Sequence, residues 1–281
     1  MPANEPASPP AGKPAKNQVK GAHMVSSGYI NAWADKSSII DVLDLDKVRG
    51  YPISFKQATI VNHVYAPAFL NHDLEGEYAR TESSGIPVIK KLREGLQVTV
   101  DEQTQLIEFL EMHRYRGRYA DRADVRVPAV AVMTDGTAKD IDLKVGDMTL
   151  LTRDRPPGPR LTTLGLEQQT WTVWNLDHIL PTGDGAVMLW GSAKDDSVAF
   201  VTFILSPTQL LLIGDNLPTE LPIKEQLVRR SMRWIVGKRG TLRYSQAAVI
   251  AAERAKERQA EAAAAVAARA AVTEGPTGHQ A

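Results

Sequence analysis

Between Asp73 and Arg118 the apolar positions recur twice at helical spacing. Leu74, Tyr78, Glu82, Gly85, Ile89 and Leu92 fall on one face of a first helix, and Leu106, Phe109, Leu110, His113 and Arg116 on one face of a second. Thr99 or Asp101 offers the second helix its cap, and Pro87 is expected to kink or interrupt the first. Each apolar stripe thus carries charge, and burying a charge without a partner is costly. A short connection between the helices predicts an antiparallel hairpin in which Glu82 and Arg116 meet.

Around this hairpin the pattern changes period. Upstream, "SSGYINAWAD" reads as a Ser-capped short helix with Tyr29, Ile30 and Trp33 on one face and His23 just before it. "SSIIDVLDLD" and "QATIVNHVYA" read as two strands of a small antiparallel pair, joined by a turn around Gly50 and Pro52. The stretch from Val127 to Gln169 is rich in Gly, Pro and Asp and reads as strand fragments and loops. "QTWTVWNL", "GAVMLWG", "VAFVTFIL" and "QLLLIGD" are four β-rich runs that predict a C-terminal antiparallel sheet. "PIKEQLVRRSMRWIVG" reads as a helix with Ile223, Leu227, Met232 and Ile235 toward the core. From Ser245 to Ala271 the chain is Ala-rich with few large apolar side chains, which predicts a projecting helix that is either a solvated tail or a partner-binding element. The expected class is α+β: an N-terminal β-hairpin and a helical hairpin packed with a C-terminal antiparallel sheet. The boundaries run 1–18 for a disordered leader, 19–243 for a single α+β domain, and 244–281 for the Ala-rich helix and tail.

Composition narrows the chemistry. The 281 residues carry a formal net charge of zero, so no global field draws the chain to nucleic acid or to an acidic membrane. The absence of cysteine excludes disulfides, thiolate nucleophiles and cysteine metal sites. No apolar run approaches the roughly 20 residues of a membrane span, and the Pro- and Ala-rich opening lacks the apolar core of a signal peptide. A soluble, cytoplasmic protein without a membrane partner is expected. No P-loop, GxGxxG, GxSxG or kinase motif occurs, and nothing in the sequence names a cofactor or an oligomeric state.

Four residues stand out. A carboxylate at Glu82 facing the Arg116 guanidinium can form a bidentate pair that is either structural or grips an anion. His113, one turn before Arg116, is either a satisfied core histidine or a proton carrier. His63, His72 and His178 show no paired i, i+4 spacing, so a histidine zinc site has little support, and His279 lies in the tail. Asp184, in "LPTGDGAVML", reads either as a tight Asp-Gly turn or as an acid at a sheet edge. Two basic clusters contain aromatics: Arg114, Arg116, Arg118, Arg122 and Arg126 with Tyr115 and Tyr119, then Arg229, Arg230, Arg233, Lys238, Arg239 and Arg243 with Trp234 and Tyr244. Such clusters either hold phosphates and stack bases or are solvated faces.

The order of these motifs, from about Lys20 to Gly240, resembles a family catalogued as domain of unknown function 4238, found in bacteria and some phages. "AHMVSSGYINAWAD" is similar to the family's opening His-Tyr-Val-Pro element, with Met24 and Ser26 in place of its Tyr and Pro. Glu82 ahead of "VIKKLREG" and "FLEMHRYRGR", with His113 where the family has Gln, resemble its next two elements. Thr182 to Val187 and "FILSPTQLLLIG" resemble the last two, with Gly183 altered. The resemblance implies His23, Glu82, Arg116 and Asp184 as a polar signature and implies no established activity.

Two readings of function follow. In the first, His23 is general acid or base, Asp184 orients it or binds a metal, and Arg116, held by Glu82 and flanked by His113, binds an anionic group of a phosphate-containing or nucleic-acid substrate undergoing hydrolysis. In the second, the same residues are a structural network and the basic, aromatic surface is a non-catalytic module for nucleic acid or a protein, of phage or mobile-element type.

Overall fold

The computed structural model describes residues 21–62, 72–153, 158–191, 197–215 and 218–273, so the expected leader at 1–18 lies outside the described residues. The chain begins with β1 (Gly21–His23), the short helix α1 (Ser27–Ile30), and three strands, β2 (Ile39–Asp44), β3 (Arg49–Ser54) and β4 (Ile60–Asn62). The helical hairpin follows as α2 (Leu74–Arg93) and α3 (Val100–Arg118). Next come the ribbon β5 (Val127–Val132) and β6 (Ala138–Leu143), then α4 (Val145–Thr152). The remainder is β7 (Trp171–Asn175), β8 (Thr182–Gly183), β9 (Val187–Gly191), β10 (Val198–Ser206), β11 (Gln209–Ile213), α5 (Ile223–Arg230), β12 (Trp234–Lys238) and α6 (Gln246–Thr273).

The α+β class is as the sequence predicts, and so is the C-terminal antiparallel sheet, whose strand order is β7-β11-β10-β9. Three details differ. The N-terminal hairpin pairs β2 with β3, and β3 is the segment around Gly50 and Pro52 that reads as a turn. Pro52 is tolerated there because β3 is the edge of its sheet, where a missing N–H costs no ladder bond. "QATIVNHVYA" contributes only β4, which pairs with β1 instead. The expected C-terminal helix stops at Arg230, and Trp234, Ile235 and Val236 form β12, the strand between β2 and β8 in the sheet β3-β2-β12-β8. Aromatic and β-branched side chains buried on both faces favour the strand over helix continuation there. That sheet joins β2 and β3, from the first part of the chain, to β12, from the last.

The hairpin is built as its stripes require. Thr99 and Glu102 form a reciprocal capping box at the start of α3, with Thr99 Oγ1 accepting from Glu102 N at 3.3 Å and Glu102 Oε2 from Thr99 N at 2.9 Å. Asp73 caps α2 through Gly76 N at 2.9 Å. Helix α2 runs through Pro87, which faces solvent, so the carbonyl its ring leaves without a donor can be hydrated. Leu106, Phe109, Leu110, His113 and Arg116 are all buried, as the helical period demands. Tyr29, Phe109, His113 and Phe203 form an aromatic cluster between α1, the hairpin and β10, with ring centroids 4.9–6.4 Å apart.

The two helices pack tightly at Gly85: a Cβ built on it would lie 2.5 Å from Phe109 Cβ. A Gly85→Ala substitution gains about 1 kcal/mol of helix propensity but overpacks this contact by about 1–3 kcal/mol. The expected net result is a lower midpoint of urea unfolding; a raised midpoint would show that the helices can separate at no cost.

Candidate functional site

The predicted pair exists. Arg116 Nη1 donates to Glu82 Oε1, the guanidinium lies 4.5 Å over the Tyr78 ring, and Arg116 is 4% exposed. A buried cation is tolerable here because it has both a carboxylate and an aromatic face. Half-buried Glu75 belongs to the same field, its pKa raised by burial and pulled down by Arg116.

His23 borders this pair. Its Nδ1–H donates to the Ala58 carbonyl at 2.9 Å, which fixes the tautomer and leaves Nε2 as the unprotonated nitrogen. Burial lowers its pKa, the Ala58 hydrogen bond opposes that, and Glu82 and Arg116 act on it with opposite signs. His23, Glu82 and Arg116 therefore share one electrostatic neighbourhood.

His113 and Asp184 are placed differently. The His113 ring is buried in the aromatic cluster and its Nε2–H donates to the Gly183 carbonyl at 3.0 Å. Burial drives its pKa down to about 4, with the Gly183 hydrogen bond opposing and Arg116 assisting. Asp184 takes three consecutive backbone amides: Oδ1 accepts from Met232 N at 2.8 Å, and Oδ2 from Arg233 N at 2.8 Å and Trp234 N at 3.1 Å. Burial raises its pKa to about 7 against the pull of these donors and of Arg254. The carboxylate is thus committed to the entry of β12. The backbone of Asp184 presses on α3, since a Cβ on Gly117 would lie 2.4 Å from Asp184 O. His63 and His279 lie outside the described residues. Among the described residues no group of three or more His, Asp or Glu side chains is arranged to hold a metal ion.

The fold also assembles a site that no single motif marks. A cleft of about 380 Å³ lies between the C-terminal half of α3 and the end of α5, lined by Arg114, Tyr115 and Arg118 on one side and Arg229, Arg230 and Met232 on the other, with Gly185 also in its lining. Its arginines come from both basic clusters of the sequence. The inward members of the clusters are Arg116 and Arg233, the latter pairing with Asp44 at 3.2 Å. Arg114 is tethered to Glu111 at 3.4 Å and to the Pro159 carbonyl at 3.1 Å, and Arg230 to the Leu189 carbonyl at 3.1 Å. Burial lowers the pKa of Arg230, and the charges of Arg114 and Arg229 push the same way. Arg118 Nη1 is enclosed and has no hydrogen-bond partner among the described residues. Four arginines thus line the cleft with only two acidic residues, Glu111 and Asp184, and the carboxylate of Asp184 is engaged elsewhere. The sequence signal for this site was the aromatic-laced basic clusters; their convergence is tertiary.

The molecule is, in class, an α+β protein with a basic cleft between two helix ends. No protein family, curated protein or solved structure matches the chain. Among the described residues no helix is long and apolar enough to cross a membrane.

The burial of His113 has a measurable consequence. Its folded pKa lies below its unfolded value of 6.5, so the unfolded chain binds the extra proton between about pH 6.5 and 4 and stability is lost as pH falls through that window. His113→Gln keeps an amide N–H for Gly183 O and does not titrate. The stability advantage of the wild type over this variant is expected to shrink from pH 7 to pH 4.5 in paired urea titrations; parallel curves would mean that His113 is not held neutral.

Proposed function

We propose that the protein binds a phosphate-containing ligand in the arginine cleft. The observation that carries this reading is the crowding of Arg114, Arg118, Arg229 and Arg230 on one open concavity. Like charges at this spacing repel, and an anion that accepts from several guanidiniums relieves the repulsion while gaining charge-assisted hydrogen bonds. Arg118, Arg229 and Arg230 lie in the last turns of their helices, where the helix dipole stabilises cations and so supports their accumulation without a bound anion. The volume is in the range of small-molecule sites.

Inorganic pyrophosphate is the simplest probe. Binding measured by calorimetry at low salt should weaken as ionic strength rises, and Arg229→Glu with Arg230→Glu should reduce affinity at least tenfold with the fold retained by circular dichroism. Unchanged affinity in that variant would remove the cleft from the reading.

A hydrolytic reading rests on His23, whose unprotonated Nε2 sits in the field of Glu82 and Arg116. It predicts turnover of a pool of nucleotides and nucleic acids by the purified protein, abolished in His23→Ala. Turnover that survives in the mutant excludes His23 as the base.

A further inference from the structure

We infer that the ligand of the arginine cleft is a nucleotide, with its phosphates on the arginines and its base in a second compartment against Tyr115. This rests on the anion-binding reading above. The second compartment, about 330 Å³, lies on the other side of the same stretch of α3 and is walled by Leu74, Tyr78 and Met112 with the polar residues Glu108 and Thr162 at its edge. Glu111 and Tyr115 line both cavities. They sit one turn apart on α3, so the two cavities share a wall only one helical turn long.

The two compartments differ in chemistry. The first carries four guanidiniums and takes phosphate. The second holds the partly exposed ring of Tyr115, on which a nucleobase can stack, with buried Met112 and Leu74 also in its lining, and the carboxylate of the exposed Glu108 to accept from base amino groups. Tyr115 is oriented across the boundary by its hydroxyl, which donates to the Arg153 carbonyl at 3.4 Å, so its ring rather than its polar tip is offered to a ligand. Glu111 is fixed by the Leu161 amide at 2.9 Å and so holds its place in the shared wall. The charge balance also bears on chain length. In the second compartment Glu77, Glu108 and Glu111 outnumber Arg153 and Arg160, and Arg153 is already paired with Glu77. A second backbone phosphate entering there meets net negative charge, whereas a neutral base does not. A mononucleotide is therefore favoured over a strand passing through.

Titration of the full chain with adenosine diphosphate and guanosine diphosphate, beside inorganic pyrophosphate and a short single-stranded oligonucleotide, tests this. At least one nucleoside diphosphate should bind about tenfold or more tightly than pyrophosphate, the contribution of one stacked base. Tyr115→Ala should abolish the preference for that nucleotide over pyrophosphate, both ligands being measured on the variant itself, while Tyr115→Phe should retain the preference. Equal affinity of pyrophosphate and both nucleotides, or a nucleotide preference that survives Tyr115→Ala in a folded protein, overturns the inference and leaves the anion site standing. A strand that binds more tightly than either nucleotide overturns it in favour of nucleic acid, and no binding of any probe removes the anion site as well.

Discussion

The carboxylate of Asp184 holds the amides of Met232, Arg233 and Trp234, and much else follows from that anchor. Three successive backbone donors would otherwise be left without acceptors between the end of α5 and the start of β12, and each such buried group costs about 1–3 kcal/mol. The same residue's backbone lies against Gly117 of α3, and the carbonyl before it accepts from His113. One short segment therefore ties α3 to β12 and stops α5 where its terminal arginines face those of α3. The cleft is a consequence of that junction.

Charge is sorted by the same geometry. Arg116 and Arg233 turn inward, and each has carboxylate and aromatic partners: Glu82 and Tyr78 for the first, Asp44 and Trp234 for the second. Their neighbours Arg114, Arg118, Arg229 and Arg230, on the other faces of the same helices or beside the same turn, collect on the cleft. A chain with zero net charge thus carries a locally basic concavity, because the neutralising carboxylates are spent on inward cations and on backbone amides.

Much of the helical hairpin was legible in the sequence. The stripe from Leu106 to Arg116 is buried throughout, and the pairing of Glu82 with Arg116 follows from period, connection length and the cost of an unpaired buried charge. The strands of the C-terminal sheet were legible because each is a long β-rich run closed by turn residues. Strands β3 and β12 were not. Gly50 and Pro52 mimic a turn, and Met232 to Val236 continue a helical pattern begun at Ile223, so local propensity points away from states that sheet pairing imposes. Asp184 was visible as an acid between glycines, yet its three amide partners lie 48 to 50 residues downstream and no local spacing encodes them.

By itself, then, the sequence determined the class, the hairpin and its internal ion pair, because those rest on periodicity and on contacts between adjacent elements. The tertiary structure alone decided that His113 is a neutral core group, that Asp184 is an anchor for β12, and that two basic clusters more than a hundred residues apart share one cleft. The reason is physical: a side chain's role depends on what desolvates it and which donors reach it, and in this fold those groups come from distant parts of the chain.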